Sequence, residues 1–457
     1  MGAKRDLQAV VEKTVQCGAQ LRADEVEAFA VRVDRKQISF TGNVDTVHTT
    51  GATGLGIRVF IGQKAGFFAT SSLRESDIYQ SVQAAYEIAK VSTPDPEWRS
   101  LSTFEKRGHV DGVYDRDTAH IDPSELLQEV LFMMDTVRNC NEQLTITRGE
   151  VTAEKVETAI ANNYGNTALR EETFATTNIS VKAEENGAKG VSSENQQARS
   201  WSDLDCGLVA QIAADRARRV IHARTIKPGT MPIIWRNKLF ASVLRIMFSR
   251  TLTADAIQKS RSPWRGKIGS RIASKTFQLV DDGTRRNGLG TRLFDDEGTA
   301  HQRVQLVNNG VLQGYLYDSY TANRDHQKST GNASREYQHL PTPTPNNLTL
   351  QPGTAHSEEL FSDVKQGLYL IESIGAWLSN PISGDLSATA TNAFLIEHGE
   401  LTQPVKGVVV TGNFFDILQN RLELIANDTQ NLGSTYAPSV KISEMTVISD
   451  DGMSENG

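Results

Sequence analysis

Residues that could do chemistry are sparse and scattered in this chain. The densest set is the acidic run Asp295-Asp296-Glu297 with His301 close behind. Carboxylates and an imidazole are the donors of a divalent-metal hydrolase. Neighbouring side chains on a strand point to opposite faces, so these four converge only if a loop carries them. A capped hairpin turn is the competing reading. A second candidate is the stretch Asn237–Ser274, where a helical pattern runs into a basic loop flanked by Trp235 and Trp264. Tryptophans so placed serve more often as packing anchors than as substrate platforms. The GATGLG run at 51–56 contains a GxG. No third glycine opens a helix after it, because IRVFI continues as a strand, so tight turns and close packing explain it better than phosphate binding. Cys206 stands beside a helix start and is either a reactive or a buried thiol. His48, His109 and His120 lie apart from one another.

The elements that would position these residues are of both kinds. Apolar spacing predicts helices over 5–20, 76–91, 123–139 and 203–221, with Asp122 capping the third and Pro123 in its first turn. Alternating segments predict strands over 25–50, a hairpin over 51–70 around Gly62-Gln63-Lys64, and strands at 145–160 and 173–184 around an NNYGN loop. The segment 223–231, with its Pro-Gly pair, marks a boundary. Beyond it the chain is β-rich, and Asn308-Asn309-Gly310 is a hairpin turn. A short helix is expected over 414–425 and a last strand over 442–448. Strands that run into hairpins rather than alternating with helices make the fold α+β. The expected organisation is an N-terminal domain of helices and hairpins over 1–225 and a C-terminal β-rich domain of antiparallel sheet over 226–448. The latter would contain a helix at 237–252, and 449–457 would be a disordered tail.

Bulk properties narrow the function. The chain has 457 residues, a net charge of −7 and 23% charged residues. That length exceeds one ordinary core, and the acidic balance disfavours nucleic acid as a partner. Three widely spaced cysteines (Cys17, Cys140, Cys206) form no CxxC pair and suit a reducing compartment. No signal-peptide core and no membrane-length apolar run is present, so a cytoplasmic protein is expected.

An ordered array of segments is similar to the TldD/PmbA family: GLGIRVF (54–60), VDDGT (280–284), DDEGT (295–299), VNNGVLQGYLYD (307–318), STGNASR (329–335), SGDLSATATNAFLIEHGEL (383–401) and PVKGVVVTGNFFDIL (404–418). The resemblance spans about residues 20 to 448. It implies a metallopeptidase built from two related subunits. The catalytic subunit carries zinc on an HExxxH helix and a cysteine near its C-terminus. Two imidazoles and a thiolate hold Zn²⁺ and leave a position for water, which the glutamate deprotonates.

Carried over residue by residue, the motif is missing. Counting back from KIGSRIAS (267–274), its window falls on Arg245–Arg250. Both histidine positions are arginine, and the glutamate position is Ile246. Where the thiolate would stand, the chain has Tyr436, Ala437 and Pro438. Arginine repels a divalent cation and cannot deprotonate to become a ligand. The chain thus resembles the non-catalytic PmbA/TldE-type subunit. No catalytic residue, metal ligand or cofactor is expected in it, and zinc is expected in a TldD-like partner. Its implied role is to shape the chamber and help bind unfolded or leader-peptide substrates. The expected substrate contacts are Arg245, Arg250, Asn332, Arg335, Ser383 and Asp385, where ordinary turn chemistry and surface placement are the competing readings. A homodimer in isolation is also possible for a family whose subunits share ancestry. The alternatives are a stand-alone peptide-binding or maturation factor, or a hydrolase using a different site such as the Asp295 run.

Overall fold

The computed structural model describes residues 6–104, 110–141 and 143–449. Of the expected tail at 449–457, Ser449 ends a strand and 450–457 lie outside the described residues, as does His109.

The N-terminal part repeats one unit twice. The first copy is α1 (Leu7–Gln20), β1 (Glu25–Phe40), β2 (Val44–Ile61), β3 (Lys64–Thr70) and α2 (Glu75–Val91). After α3 (Arg116–His120), the second is α4 (Pro123–Cys140), β4 (Leu144–Asn162), β5 (Thr167–Glu185), β6 (Ala188–Ala198) and α5 (Cys206–Arg219). The six strands form one antiparallel sheet in the order β3-β2-β1-β4-β5-β6, with the two units meeting at β1 and β4. Glycine recurs at equivalent places. A Cβ on Gly66 would lie 1.9 Å from the Ala85 carbonyl of α2, and one on Gly190 would lie 2.1 Å from the Ala217 carbonyl of α5. Only hydrogen lets each helix settle this close to its edge strand.

Local chemistry sets the helix ends. Asp6 caps α1, and Asp122 with Glu125 forms a capping box at α4, whose first residue is Pro123. Alternation then sorts the sheet. Val26, Ala28 and Ala30 of β1 face α1 and α2, and Ile38 and Phe40 face α4 and α5. Glu27 and Phe29 face the opposite way, toward the C-terminal part. The sequence expectation missed β6, whose polar Ser-Ser-Glu-Asn-Gln-Gln run hides its strand pattern, and it divided β2 at Gly51.

The C-terminal part begins with β7 (Gly229–Trp235), α6 (Asn237–Phe248), α7 (Ala254–Gln258), β8 (Leu279–Asp282), β9 (Arg303–Asn308), β10 (Val311–Leu312) and α8 (Ser319–Arg324). It continues with β11 (Ala333–Ser334), β12 (Thr342–Pro343), β13 (Leu348–Leu350), β14 (Gln366–Ile374), β15 (Asp385–Glu397), β16 (Glu400–Val405), β17 (Val408–Asn413), α9 (Phe414–Asp416), β18 (Leu422–Ile425), β19 (Gln430–Leu432), β20 (Thr435–Ala437) and β21 (Val440–Ser449). One sheet runs β14-β7-β21-β17-β15 and closes on itself through β14 and β15, forming a barrel. A second runs β10-β9-β8-β13-β20-β19. Most pairs are antiparallel, but β14 with β7 and β13 with β20 are parallel, which the antiparallel expectation did not include. The helix expected over 414–425 is one short turn followed by a π-helical turn, and Leu422–Ile425 pairs with β21 as a strand. The largest apolar core fills this part, with Trp235, Phe248, Phe277 and Phe414 fully buried. Each such side chain contributes roughly 1.5–3 kcal/mol by burial.

Candidate functional site

Helix α6 forms because Leu239, Phe240, Val243, Leu244, Met247 and Phe248 make one apolar stripe and bury against the core. It ends at Phe248 with Ser249 as its cap, short of the expected 252. Thr251 Oγ1 donates to the Met247 carbonyl, and Thr253 starts the next helix as its own cap, so the chain turns here. Arg245 is therefore on the helix and Arg250 in the turn after it. Both are exposed.

The N-terminus of α6 is tied to the 428–439 segment. Asn237 donates through Nδ2 to the Asp428 carbonyl at 2.9 Å, and its backbone N–H donates to Ser439 Oγ at 3.0 Å. The helix packs against β20, which carries Tyr436 and Ala437. The two segments that the family resemblance pairs, distant in sequence, are thus neighbours in space. The residues present do not fit a metal: Arg245, Ile246 and Arg250 on one side, Tyr436 and Ala437 on the other. Among the described residues no group of three or more His, Cys, Asp or Glu side chains is arranged to hold a metal ion.

The loop after α7 is folded back onto this corner. Trp264 stacks on Phe248 with ring centroids 5.8 Å apart, and its Nε1 donates to Thr251 Oγ1 at 3.1 Å. Phe415 meets Trp264 edge-on at 4.8 Å. A Cβ on Gly384 would touch the Phe415 ring, and Asn413 Nδ2 donates to the Ser383 carbonyl at 2.9 Å. The turn Ser383–Asp385 therefore joins the same corner as α6. Its Ser383 Oγ donates to Asp385 Oδ2 at 2.6 Å, and both residues are exposed. Trp235 and Trp264 are buried anchors.

Asn332 and Arg335 lie elsewhere, and burial removes them from the expected substrate contacts. Asn332 is fully buried and donates to Asp281 Oδ2 at 2.6 Å and to the Thr344 carbonyl at 2.9 Å. Arg335 pairs with Glu27 of β1 at 2.6 Å, its side chain 1% exposed, and its guanidinium lies 4.3 Å from the Phe29 ring.

Arg335 belongs to a buried seam between the N-terminal sheet and the loop 294–301. The acidic run that looked like a metal site is the centre of this seam. Asp295 accepts from the backbone N–H groups of Glu297, Thr299 and Ala333. Asp296 pairs with Arg170 at 2.5 Å and with Arg292 at 3.4 Å. Glu297 pairs with Arg58 at 3.2 Å and accepts from the Ser319 N–H at 2.8 Å. His301 Nδ1 meets the Gly283 carbonyl at 3.3 Å. The carboxylates diverge into separate partners instead of converging on one point. Burial would raise Asp296, but Arg170 and Arg292 override it and hold the carboxyl at about 2. Burial, with Arg292 and Arg170 nearby, pushes His301 down to about 3, so it stays neutral. Burial followed by the Glu297 charge raises Asp318 to about 7. Cys206 is a buried thiol, pushed up to about 11 by burial. The arginine and carboxylate partners on β1, β2 and β5 gave no sequence signal, because isolated charges in a strand look like solvent-facing positions.

The GATGLG glycines serve the same seam. A Cβ on Gly54 would lie 2.2 Å from the Tyr337 ring, and one on Gly56 would lie 2.4 Å from the Tyr337 carbonyl.

This architecture, a doubled αβββα sheet docked on a part that contains a barrel, is that of the PmbA/TldD metallopeptidases. Three family models match in order: domain 1 over 26–89, the central domain over 117–220 and the C-terminal domain over 228–449. The chain belongs to the PmbA/TldD family. It is 28% identical to the metalloprotease TldD homolog of Haemophilus influenzae over 424 residues, covering 86% of each chain. It is 23% identical to the metalloprotease PmbA of Escherichia coli O157:H7 over 449 residues, covering 96% of each. The crystal structure of TldE from Thermococcus kodakarensis shares its fold with a TM-score of 0.89 at 20% identity, over 96% of this chain and 100% of that one.

Proposed function

We propose that this chain is the non-catalytic, TldE-type subunit of a two-component zinc metallopeptidase, and that a TldD-like partner supplies the metal and the catalytic glutamate. The observation that carries this reading is α6 lying against β20 with Arg245, Ile246 and Arg250 on one side and Tyr436 and Ala437 on the other. A Zn²⁺ ion would meet guanidinium groups there instead of imidazoles and a thiolate. The rest of the family body is kept, which fits selection for assembly and substrate handling. Residues 1–225 and 226–448 act as the two working domains, in a cytoplasmic setting that suits the free thiols of Cys17, Cys140 and Cys206.

In this reading the chain completes a chamber for an unfolded or leader-peptide substrate. Arg245 and Arg250 meet peptide carboxylates through charge-assisted hydrogen bonds, and the Ser383–Asp385 turn lines the same corner. Strand addition to an exposed sheet edge would hold the peptide extended. Co-expression with TldD-like partners tests the proposal. The expected result is a stable pair whose peptidase activity exceeds that of the partner alone. Failure to co-purify, with unchanged activity, would reject it.

A further inference from the structure

The corner around α6 carries a concentration of positive charge on a chain that is acidic as a whole. From 236 to 275 the only acidic residue is Asp255, which is engaged with Lys259 at 2.6 Å. Arg245, Arg250, Arg261, Arg265, Lys267 and Arg271 are all exposed. None of them has a carboxylate within ion-pair distance among the described residues. Arg265 donates to Ser260 Oγ, and Arg271 reaches the Asn309 carbonyl at 3.4 Å. The buried seam treats its arginines differently, pairing Arg58, Arg170 and Arg335 with carboxylates. The loop is held in shape: Trp264 anchors it on Phe248, the Ser262 hydroxyl donates to the Thr251 carbonyl, and the Ile272 N–H bonds to the Gly310 carbonyl.

Apolar side chains stand out among these cations. Ile268 is 53% exposed, and the turn Ala376–Leu378, packed against α6, presents Trp377 at 69% and Leu378 at 78%. Ile382 adjoins the Ser383 turn and is also exposed. We infer that this corner binds acidic stretches of the polypeptide substrate that also carry apolar residues. The inference rests on the peptidase-subunit reading and names the substrate class for it.

Charge complementarity selects the occupant. Unpaired guanidinium groups attract carboxylates over roughly one Debye length, about 8 Å at physiological salt. A stable subunit contact is depleted of charge at its core, whereas this surface intersperses single apolar residues with cations, which suits contact points along an extended chain. A nucleic acid would bring phosphates but no aliphatic side chains for Ile268, Leu378 and Ile382, whereas an acidic peptide segment supplies both kinds of group.

The test is fluorescence anisotropy on the full chain with three labelled probes: a 15-residue Glu/Asp-rich peptide containing Leu and Phe, its Lys counterpart, and a single-stranded DNA 15-mer. Binding of the acidic peptide is expected to be tighter than that of the others by on the order of 10-fold and to weaken with salt. The triple variant Arg261→Glu, Arg265→Glu, Lys267→Glu should lose it by at least as much while keeping the wild-type melting temperature. Trp377→Ala should weaken it more modestly. Equal affinity for the acidic and basic peptides, equal or tighter binding of DNA, or unchanged binding by the triple variant would each overturn the inference. So would displacement of the peptide by an added TldD-like subunit, since that would make the corner a subunit contact. Because the readout is on the isolated chain, failure to co-purify a partner would reject the subunit reading and leave this result standing.

Discussion

Arg58, in a central strand of the N-terminal sheet, and Glu297, in the C-terminal loop 294–301, form an ion pair at 3.2 Å with side chains 5% and 2% exposed. Glu27 takes the same guanidinium at 2.7 Å and Arg335 at 2.6 Å, so four charges alternate across the seam. Buried ions are tolerable only when each finds a partner, and removing one leaves another uncompensated. Arg58→Met should therefore cost about 3–5 kcal/mol in urea unfolding. The double variant with Glu297→Gln should cost less than the sum of the two single changes. Strict additivity would show that the pair is not coupled.

Asp318 gives the seam a pH dependence. Burial first, then the Glu297 charge, raises it to about 7, against about 3.9 when unfolded. Between those values the folded state holds a proton that the unfolded state has released. The contribution of this group to stability is therefore fully present at low pH and falls as pH rises through the window, by at most about 1.4 kcal/mol per pH unit. Asp318 also caps α8 by accepting from Thr321, and asparagine keeps that acceptor. Urea midpoints at pH 5, 6, 7 and 8 should show a shallower decline for Asp318→Asn than for the wild type. Parallel curves would refute the assignment.

Glu194 of β6 is a second hub between the two parts. It holds Arg216 at 2.8 Å, Arg236 at 2.8 Å and Lys238 at 2.5 Å. Burial opposes its charge, but Arg236 and Lys238 prevail and depress it to about 2. The sign is opposite to that of Asp318: this stability is present above the unfolded value near 4.5 and is lost as pH falls toward 2. Glu194→Gln should destabilise by about 3 kcal/mol at pH 7, and the gap from wild type should narrow below pH 4. A constant gap across that range would contradict the charge argument.

Close packing at the seam predicts a contrast between glycines. A Cβ at Gly56 meets the backbone carbonyl of Tyr337, which has little room to move, whereas one at Gly42 meets nothing within 4 Å. Gly56→Ala should cost at least about 2 kcal/mol and Gly42→Ala no more than about 0.5. Comparable thermal shifts for the two would show that β2 can give way.

Zinc should not co-purify stoichiometrically with this chain, because Arg245 and Arg250 stand where the family resemblance places imidazoles. Elemental analysis of protein expressed in zinc-supplemented medium checks this. One tightly held zinc per chain would reverse the functional reading.

The sequence by itself determined the five long helices, most strands and the family, because these rest on local signals: the apolar stripe of α6, the Asp122 cap, the Asn309-Gly310 turn and the ordered glycine-acidic segments; the short helices α3, α7 and α8 gave no such signal. It also determined that no histidine lies between His222 and His301, so that this stretch holds no HExxxH, since that needs only residue identity. Only the tertiary structure decided what the charged residues do. Asp295, Asp296, Glu297 and His301 are adjacent in sequence yet diverge, because their partners Arg170 and Arg58 come from strands more than a hundred residues away. Arg335 is buried against Glu27, while Arg245 and Arg250 are exposed and Phe415, against which the Ser383 turn lies, meets Trp264. A charge carries no local mark of whether it will meet water or an opposite charge. That depends on which strand the fold brings opposite it.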